Sequence, residues 1–408
     1  MQKRIYIVFL GMIAATPPLA TDMYLPAIPR IGGQWGVAQS TVNLSLVLWF
    51  VAYSPTLLVW GSLSDRYGRR PILLSGLGAF VVSSLLCAMS GDVYQLIVAR
   101  IFQGIAAAGA SSMVMAIARD YFEGKERQKV LAWIGIILGL APMIAPSIGS
   151  AILKHGNWRI IFAVQAILAT VSLSLTLAIY RETALVLDKD GPGSFFKRYA
   201  RLSRNTRYVL ANGTTGLLSA PFLGFVAFSA SAYIVHFGMS EQRFAILFGA
   251  NAVFAIMGSA ACTRVIRRYN EYRLITVTYL GCLAAGTVLL ITGQAVWILF
   301  TLAMGVYSFF FGMSRPLINH LVLEQVDRDI GAAASGIVCY QFIAGACGMA
   351  IATYEWQRPF LVFGVMATVC PLVVLLTWPL LLKRIRRRPE DHTIDIESQE
   401  AGTKEMSA

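Results

Sequence analysis

Apolar residues in this chain fall in long unbroken runs, separated by short polar connections. About 20 apolar residues in helical form cross a bilayer core. Twelve runs reach that length: 5–28, 43–61, 72–90, 94–117, 130–152, 158–180, 208–230, 243–262, 273–292, 295–317, 331–352 and 359–382. They are numbered here as spans 1 to 12. A membrane barrel reads instead as short segments of alternating polarity, so the pattern predicts an all-α integral membrane protein. No large soluble domain fits between the runs. The first run opens like a signal peptide, with Lys3 and Arg4 ahead of apolar residues. It continues through Thr21-Asp22-Met23-Tyr24-Leu25-Pro26, which makes it a first helix rather than a leader.

The polar connections set the orientation. With twelve spans both ends lie on one side, and that side holds Lys3, Arg4, Arg66, Arg69, Arg70, Lys125, Arg127 and Lys129. It also holds the basic 181–207 connection, the 264–273 loop and the tail. The opposite loops hold Arg30, Lys154, Arg159, Arg243 and Arg358. By the positive-inside rule both termini are cytoplasmic. Composition agrees with a membrane chain: 57% hydrophobic and 13% charged over 408 residues. The net charge of +13 is then topological, spread over loops that face anionic lipid, and no nucleic-acid partner is expected. Cys87, Cys262, Cys282, Cys339, Cys347 and Cys370 lie in or at the ends of spans. They read as packing residues, with no disulfide, metal or cofactor implied.

Between spans 2 and 3 lies Gly61-Ser62-Leu63-Ser64-Asp65-Arg66-Tyr67-Gly68-Arg69-Arg70-Pro71. Gly68 suits a turn with positive φ, and Pro71 suits the first turn of the next helix. One acid among three arginines is more than a bland turn needs. The pattern resembles the cytoplasmic loop between helices 2 and 3 of the major facilitator superfamily of secondary transporters. Gly61, Asp65, Arg66, Gly68, Arg69 and Arg70 are therefore candidates for a conformational latch. Span 11 opens with the small residues Gly331–Gly336, and its N-terminus carries a partial positive charge. Asp65 is expected to cap that end in one conformation and release it in another. After span 8, Arg268-Tyr269-Asn270 repeats Arg66-Tyr67-Gly68 without the acid, with Asn270 suited to the left-handed turn. This weak repeat predicts two six-helix halves.

Charge inside an apolar span is costly and points to function. Asp22 is the one carboxylate clearly within a span, among Pro17, Pro18, Pro26 and Pro29, which break or kink the helix. Arg100 reads as the only Arg or Lys well inside a span, ~9 Å below the outer surface. One embedded anion and one embedded cation at similar depth suit a pair or a shared aqueous cavity, with Gln103 one turn from Arg100. A headgroup-level Asp22 and a purely structural ion pair fit the same residues. Aromatic residues dominate spans 7 to 12 and fit a greasy pocket for amphipathic molecules better than a sugar site. The candidates for the substrate cavity are Tyr24, Trp49, Tyr53, Gln103, Phe225, Phe228, Tyr307 and Phe311. Span 5 spaces Gly135, Gly139, Pro142, Pro146 and Gly149 as a bent groove for close packing. It resembles the span-5 antiporter motif of the superfamily, with Ala145 and Ser150 in place of two glycines.

These features divide the chain into 1–180, a linker at 181–207, 208–382 and a tail at 383–408, which reads as disordered. Within the linker Phe195, Phe196, Tyr199 and Leu202 share a helical face ringed by Lys197, Arg198, Arg201 and Arg204, as on a helix lying on the inner leaflet. Asp22–Pro29, Arg100 with Gln103-Gly104, Ala118-Arg119-Asp120 and Leu140–Pro146 together resemble the bicyclomycin-resistance (Bcr/CflA) group of drug:proton antiporters. That resemblance implies a twelve-helix exporter of the bacterial inner membrane, a functional monomer acting on amphipathic antibiotics such as phenicols or bicyclomycin. It implies Asp22 as proton site and Arg100 as its electrostatic partner. A proton-coupled nutrient importer on the same fold is the competing reading. An enzyme would need paired acids or a His cluster within the spans, and neither is seen.

Overall fold

The computed structural model of the protein describes residues 2–183 and 192–385. Twelve helical spans cross it: Tyr6–Trp35, Gln39–Tyr67, Arg69–Met89, Val93–Tyr121, Gly124–His155, Arg159–Ile179, Thr206–His236, Glu241–Val265, Glu271–Thr292, Trp297–Leu323, Ile330–Thr353 and Pro359–Ile385. They form two six-helix halves with one packing order. Span 1 lies against 5, span 2 against 4, and span 3 against 4 and 6. Span 7 lies against 11, span 8 against 10, and span 9 against 10 and 12. The halves meet where span 2 packs on span 11 and span 5 on span 8, two contacts that exchange under the same offset of six.

Small residues make these approaches possible. A Cβ on Gly76 of span 3 would lie 2.8 Å from the Ala110 backbone nitrogen of span 4. One on Gly149 of span 5 would collide with the Met23 carbonyl, and one on Gly348 of span 11 with the Ala220 carbonyl. Of the other span-5 glycines, Gly139 meets Ile256 of span 8, whereas Gly135 faces open space and packs on nothing. The groove expected from Gly135 is thus confined to Gly139 and Gly149.

Several spans depart from the simple helices read above. Span 1 is not one helix: Gln2–Asp22 ends at Asp22, a tight turn follows, and Leu25–Ala27 and Ile28–Trp35 complete the crossing. Pro26 and Pro29 sit in the first turns of those two segments, where a missing N–H costs nothing. Span 7 is likewise divided into Thr206–Gly216, Ser219–Ala230 and a wide π-turn at Ser231–His236. Span 2 runs on to Tyr67, so most of the basic connection is helix and Gly68, at φ 95°, is the turn. Asn270 does not copy Gly68. It sits at φ −65° and its side chain accepts from the Tyr272 N–H as an N-cap.

The linker helix spans Pro192–Arg204. Leu202 is buried and Tyr199 packs beside it on the protein, so these two side chains cover the second half rather than a leaflet. Arg201 donates to Asp329 at the start of span 11 (2.9 Å), and the Asn205 amide donates to the Gln325 carbonyl (2.8 Å). The side chains of Phe195 and Phe196, and the tail from 386, lie outside the described residues.

Candidate functional site

A cavity of about 450 Å³ lies between the halves. Spans 1 and 2 supply Thr21, Asp22, Trp49, Phe50 and Tyr53, and span 5 supplies Pro142. From the other half come Phe222, Phe225, Phe248, Asn251 and Phe342. Asp22 is the one carboxylate on this wall, and no Lys, Arg or His lines it among the described residues. It is 7% exposed, and its carboxylate accepts a hydrogen bond from the Thr21 hydroxyl (2.9 Å). The break of span 1 puts Asp22 at the last helical position, facing the cavity.

Arg100 is fully buried on the other side of that break. It donates to the Ala20 carbonyl (2.9 Å) and to Gln103 Oε1, and its guanidinium faces the rings of Tyr24 (4.9 Å) and Trp49 (5.7 Å). Gln103 donates to Ser84 Oγ (2.8 Å) and Gln165 Oε1 (3.0 Å), and Gln165 donates to the Leu19 carbonyl (3.2 Å). The last four carbonyls of a helix have no partner within it. Spans 4 and 6 supply partners to two of them, Leu19 and Ala20, just before Asp22. The two embedded charges therefore do not meet as an ion pair: Arg100 binds the backbone beneath Asp22, not its carboxylate.

Of the residues expected in the cavity, Trp49, Tyr53 and Phe225 line it. Tyr24 lies beneath Arg100, with its hydroxyl 2.9 Å from Ser45 Oγ, and Gln103 belongs to the buried network. Phe228 packs in a ring cluster with Phe300, Phe360 and Phe363. Tyr307 is fully buried, and Phe311 supports the wall from behind by stacking on Phe222 at 4.3 Å. Arg100 is not the sole embedded cation. Span 10 runs to Leu323, which places Arg315 two turns inside it, over the Phe311 ring at 5.5 Å.

On the face that holds the chain ends, a second space of about 580 Å³ shares Leu57, Ser111, Met115 and Val338 with the cavity. Asp65 and Arg69 form one bank, and Asp329, Gly331 and Ser335 the other. Asp65 does not cap span 11 here. It accepts from Arg69 (2.6 Å), which also donates to Ser64 Oγ (2.6 Å) and Asp120 (3.1 Å). Glu182, which sequence reasoning missed, accepts the backbone N–H groups of Arg69 and Arg70 at 2.9 Å each. An acid at a helix N-terminus is well placed. Its carboxylate occupies the space a side chain at Gly68 would need. Arg66 lies outside this cluster, over the Tyr67 ring (5.4 Å), and Gly61 only borders the opening.

The opposite face is closed across the halves. Arg30 holds Glu241 through both carboxylate oxygens and donates to the Leu153 carbonyl (2.8 Å). Ser40 donates to Glu355 (3.1 Å), and Gln242 to the Ser150 carbonyl (3.4 Å). Among the described residues, these contacts bridge the halves on that face, while the space that shares residues with the cavity lies on the other.

Residues 10–349 match the Major Facilitator Superfamily. The chain belongs to that superfamily. Among curated superfamily relatives, an uncharacterized MFS-type transporter of Bacillus subtilis, YdgK, is 31% identical over 82% of this chain and 85% of its own length. A bicyclomycin resistance protein homolog of Haemophilus influenzae is 26% identical over 84% and 87%, and the multidrug transporter MdfA of Yersinia pestis 26% over 91% and 91%. In fold the chain is similar to a bacterial homolog of the human lysosomal transporter Spinster, solved inward-facing and unoccupied. The TM-score is 0.75 at 13% identity, over 94% of this chain and 98% of that one. Like these superfamily members, the chain is a multi-pass membrane transporter.

Proposed function

We propose that the protein exports amphipathic drugs in exchange for protons by alternating access, with Asp22 as the proton carrier. The observation that supports this most is the wall itself: a largely apolar, aromatic box with a single carboxylate and no Lys, Arg or His among the described residues. Such a box suits molecules with large apolar surface and little fixed charge. The names of two relatives, a bicyclomycin resistance homolog and a multidrug transporter, point the same way.

The cycle follows from the positions of the groups. With the cavity open to the cytoplasm, deprotonated Asp22 receives the drug. The loaded carrier rocks between the halves 1–180 and 208–382, tethered by 181–207, and opens outward. A proton from the acidic side then takes Asp22 and displaces the drug, and the protonated carrier returns. Arg100 and Gln165, gripping the carbonyls beneath Asp22, hold the broken turn in register with spans 4 and 6. In this reading both termini are cytoplasmic, the bilayer is a bacterial inner membrane and a monomer suffices.

Purified protein in liposomes with an imposed pH gradient, read by a pH-sensitive dye, tests it. Phenicols and lipophilic cations should dissipate the gradient, and Asp22→Asn should abolish the response. Dissipation by a sugar or another nutrient alone, with solute and proton moving together, would establish an importer instead.

A further inference from the structure

One polar side chain on the cavity wall has no part in that cycle, and one end of it has no partner among the described residues: the Asn251 amide of span 8. Asn251 is 5% exposed. Its Oδ1 accepts from the buried Ser308 hydroxyl (2.7 Å), while Nδ2 has no acceptor. Turning the amide over does not remove the problem, because Ser308 engages one side of the group and the other is left unpaired. A buried donor without an acceptor is unfavourable, and an apolar residue would fill a wall position without that cost. Its neighbours on the same wall, Phe248 and Ala252, are apolar. The bond to Ser308 of span 10 accounts for one end of the amide and leaves the other end without a structural role.

We propose that Asn251 is a substrate contact, donating its free amide N–H to an acceptor oxygen of the transported molecule, such as a carbonyl, nitro, ether or hydroxyl oxygen. With Ser308 donating to Oδ1, the donor end of the amide is the free one. The apolar body of the substrate lies against Phe222 and Phe225. The substrate class is an amphipath bearing acceptor oxygens, which Asn251 separates from purely apolar cations. This inference rests on the drug-site reading above and adds selectivity to it.

Equilibrium dialysis of radiolabelled chloramphenicol and tetraphenylphosphonium against full-length protein in lipid nanodiscs tests the assignment. The first probe has acceptor oxygens and the second has none. Asn251→Leu should weaken chloramphenicol binding by about three- to tenfold, the worth of one hydrogen bond, and leave tetraphenylphosphonium within about twofold. Ser308→Ala, which frees the amide to turn, should give a smaller loss with the same selectivity. Retained tetraphenylphosphonium binding also reports that the variant is folded. Equal loss of both probes, or loss of neither, overturns the subsite and leaves the drug site standing. Binding of neither probe by the unaltered protein overturns the drug site, and the subsite with it.

Discussion

Spans 1 to 6 and spans 7 to 12 pack in the same order, yet the two halves hold different chemistry. The first half contains Asp22, the Arg100–Gln103–Gln165 network and the Asp65–Arg69–Asp120 cluster. At the place of that cluster the second half has Asn270 as a helix cap and Glu271 beside the exposed His320 (3.4 Å). Its contribution to the cavity is aromatic, with Asn251 as its polar group. Backbone packing has therefore been kept in both copies while the embedded carboxylate belongs to one, the second half holding Arg315 as its embedded charge. A carrier needs both halves to fit each other in two arrangements, but one protonation site is enough to bias which arrangement is occupied. Substitutions should consequently act alike in the two halves when they disturb packing and unlike when they disturb charge.

The largest asymmetry is expected at Asp22. Asp22→Asn keeps the shape and the Thr21 contact but removes the titrating group, so drug-driven proton movement should fall to the protein-free background. No single second-half substitution on the cavity wall should do the same, because the described residues of that half place no acid or base on it. The liposome assay measures this directly, and proton movement persisting in Asp22→Asn would break the division of labour.

Packing should show the opposite, symmetric behaviour. Gly149 lies on the Met23 carbonyl in the first half as Gly348 lies on the Ala220 carbonyl in the second. Adding one methyl to either forces two backbones apart, at about 1–3 kcal/mol. Gly149→Ala and Gly348→Ala should each lower the thermal midpoint in detergent by roughly 3–10 °C. Gly135→Ala faces open space and should leave it unchanged or slightly raised. Unequal effects at the two matched glycines would mean that the scaffold is not shared in energetic terms.

How far these features could be read in advance depends on the kind of signal each leaves. Span number and the embedded charge of Asp22 were legible, because apolar length and a carboxylate within it are strong local signals. Depth could be counted along the helix, which placed Asp22 and Arg100 at one level. Direction around the helix could not, since the turn after Asp22 redirects the chain that follows. Prolines announced that break, and the break at Leu217–Leu218 in span 7 is likewise flanked by Gly216 and Pro221, a signal that went unread. The chain has 22 Phe, and spans that are apolar all round show no period from which to tell wall from lipid face. Phe225 faces the cavity while Phe228, one turn on, turns into the ring cluster. Glu182 was invisible for another reason: its role depends on the fold bringing it to the start of span 3.

A smaller asymmetry is expected at the basic turn. Asp65 faces an open space with the start of span 11 on its far bank, and Arg69 holds it there. Asp65→Asn weakens that hold and any later contact with the span-11 terminus. Exchange should slow by about tenfold, on the order of the 1.4 kcal/mol per decade that one charge-assisted contact supplies. Binding of tetraphenylphosphonium should stay within about twofold, because the cavity is untouched. Glu271→Gln at the matching place in the second half should alter neither. Loss of affinity in Asp65→Asn would refute a latch and make the cluster part of the binding site.

The smallest effect should come from the contact that spans both halves on the closed face. Arg30 grips Glu241 with two hydrogen bonds, but Arg30 is nearly half exposed. An ion pair in that setting is worth at most about 1 kcal/mol and is weakened by salt. Removing it with Arg30→Gln should shift the balance toward the conformation open on that face by no more than about fivefold. Spin-label distances between the halves across that face measure the two populations, and raising the salt should bring the unaltered protein toward the variant. A shift much larger than fivefold would mean that this one pair, rather than the summed contacts of Ser40, Gln242 and the apolar seams, keeps the face closed. The first-half monopoly on control would then fail, since Glu241 belongs to the second.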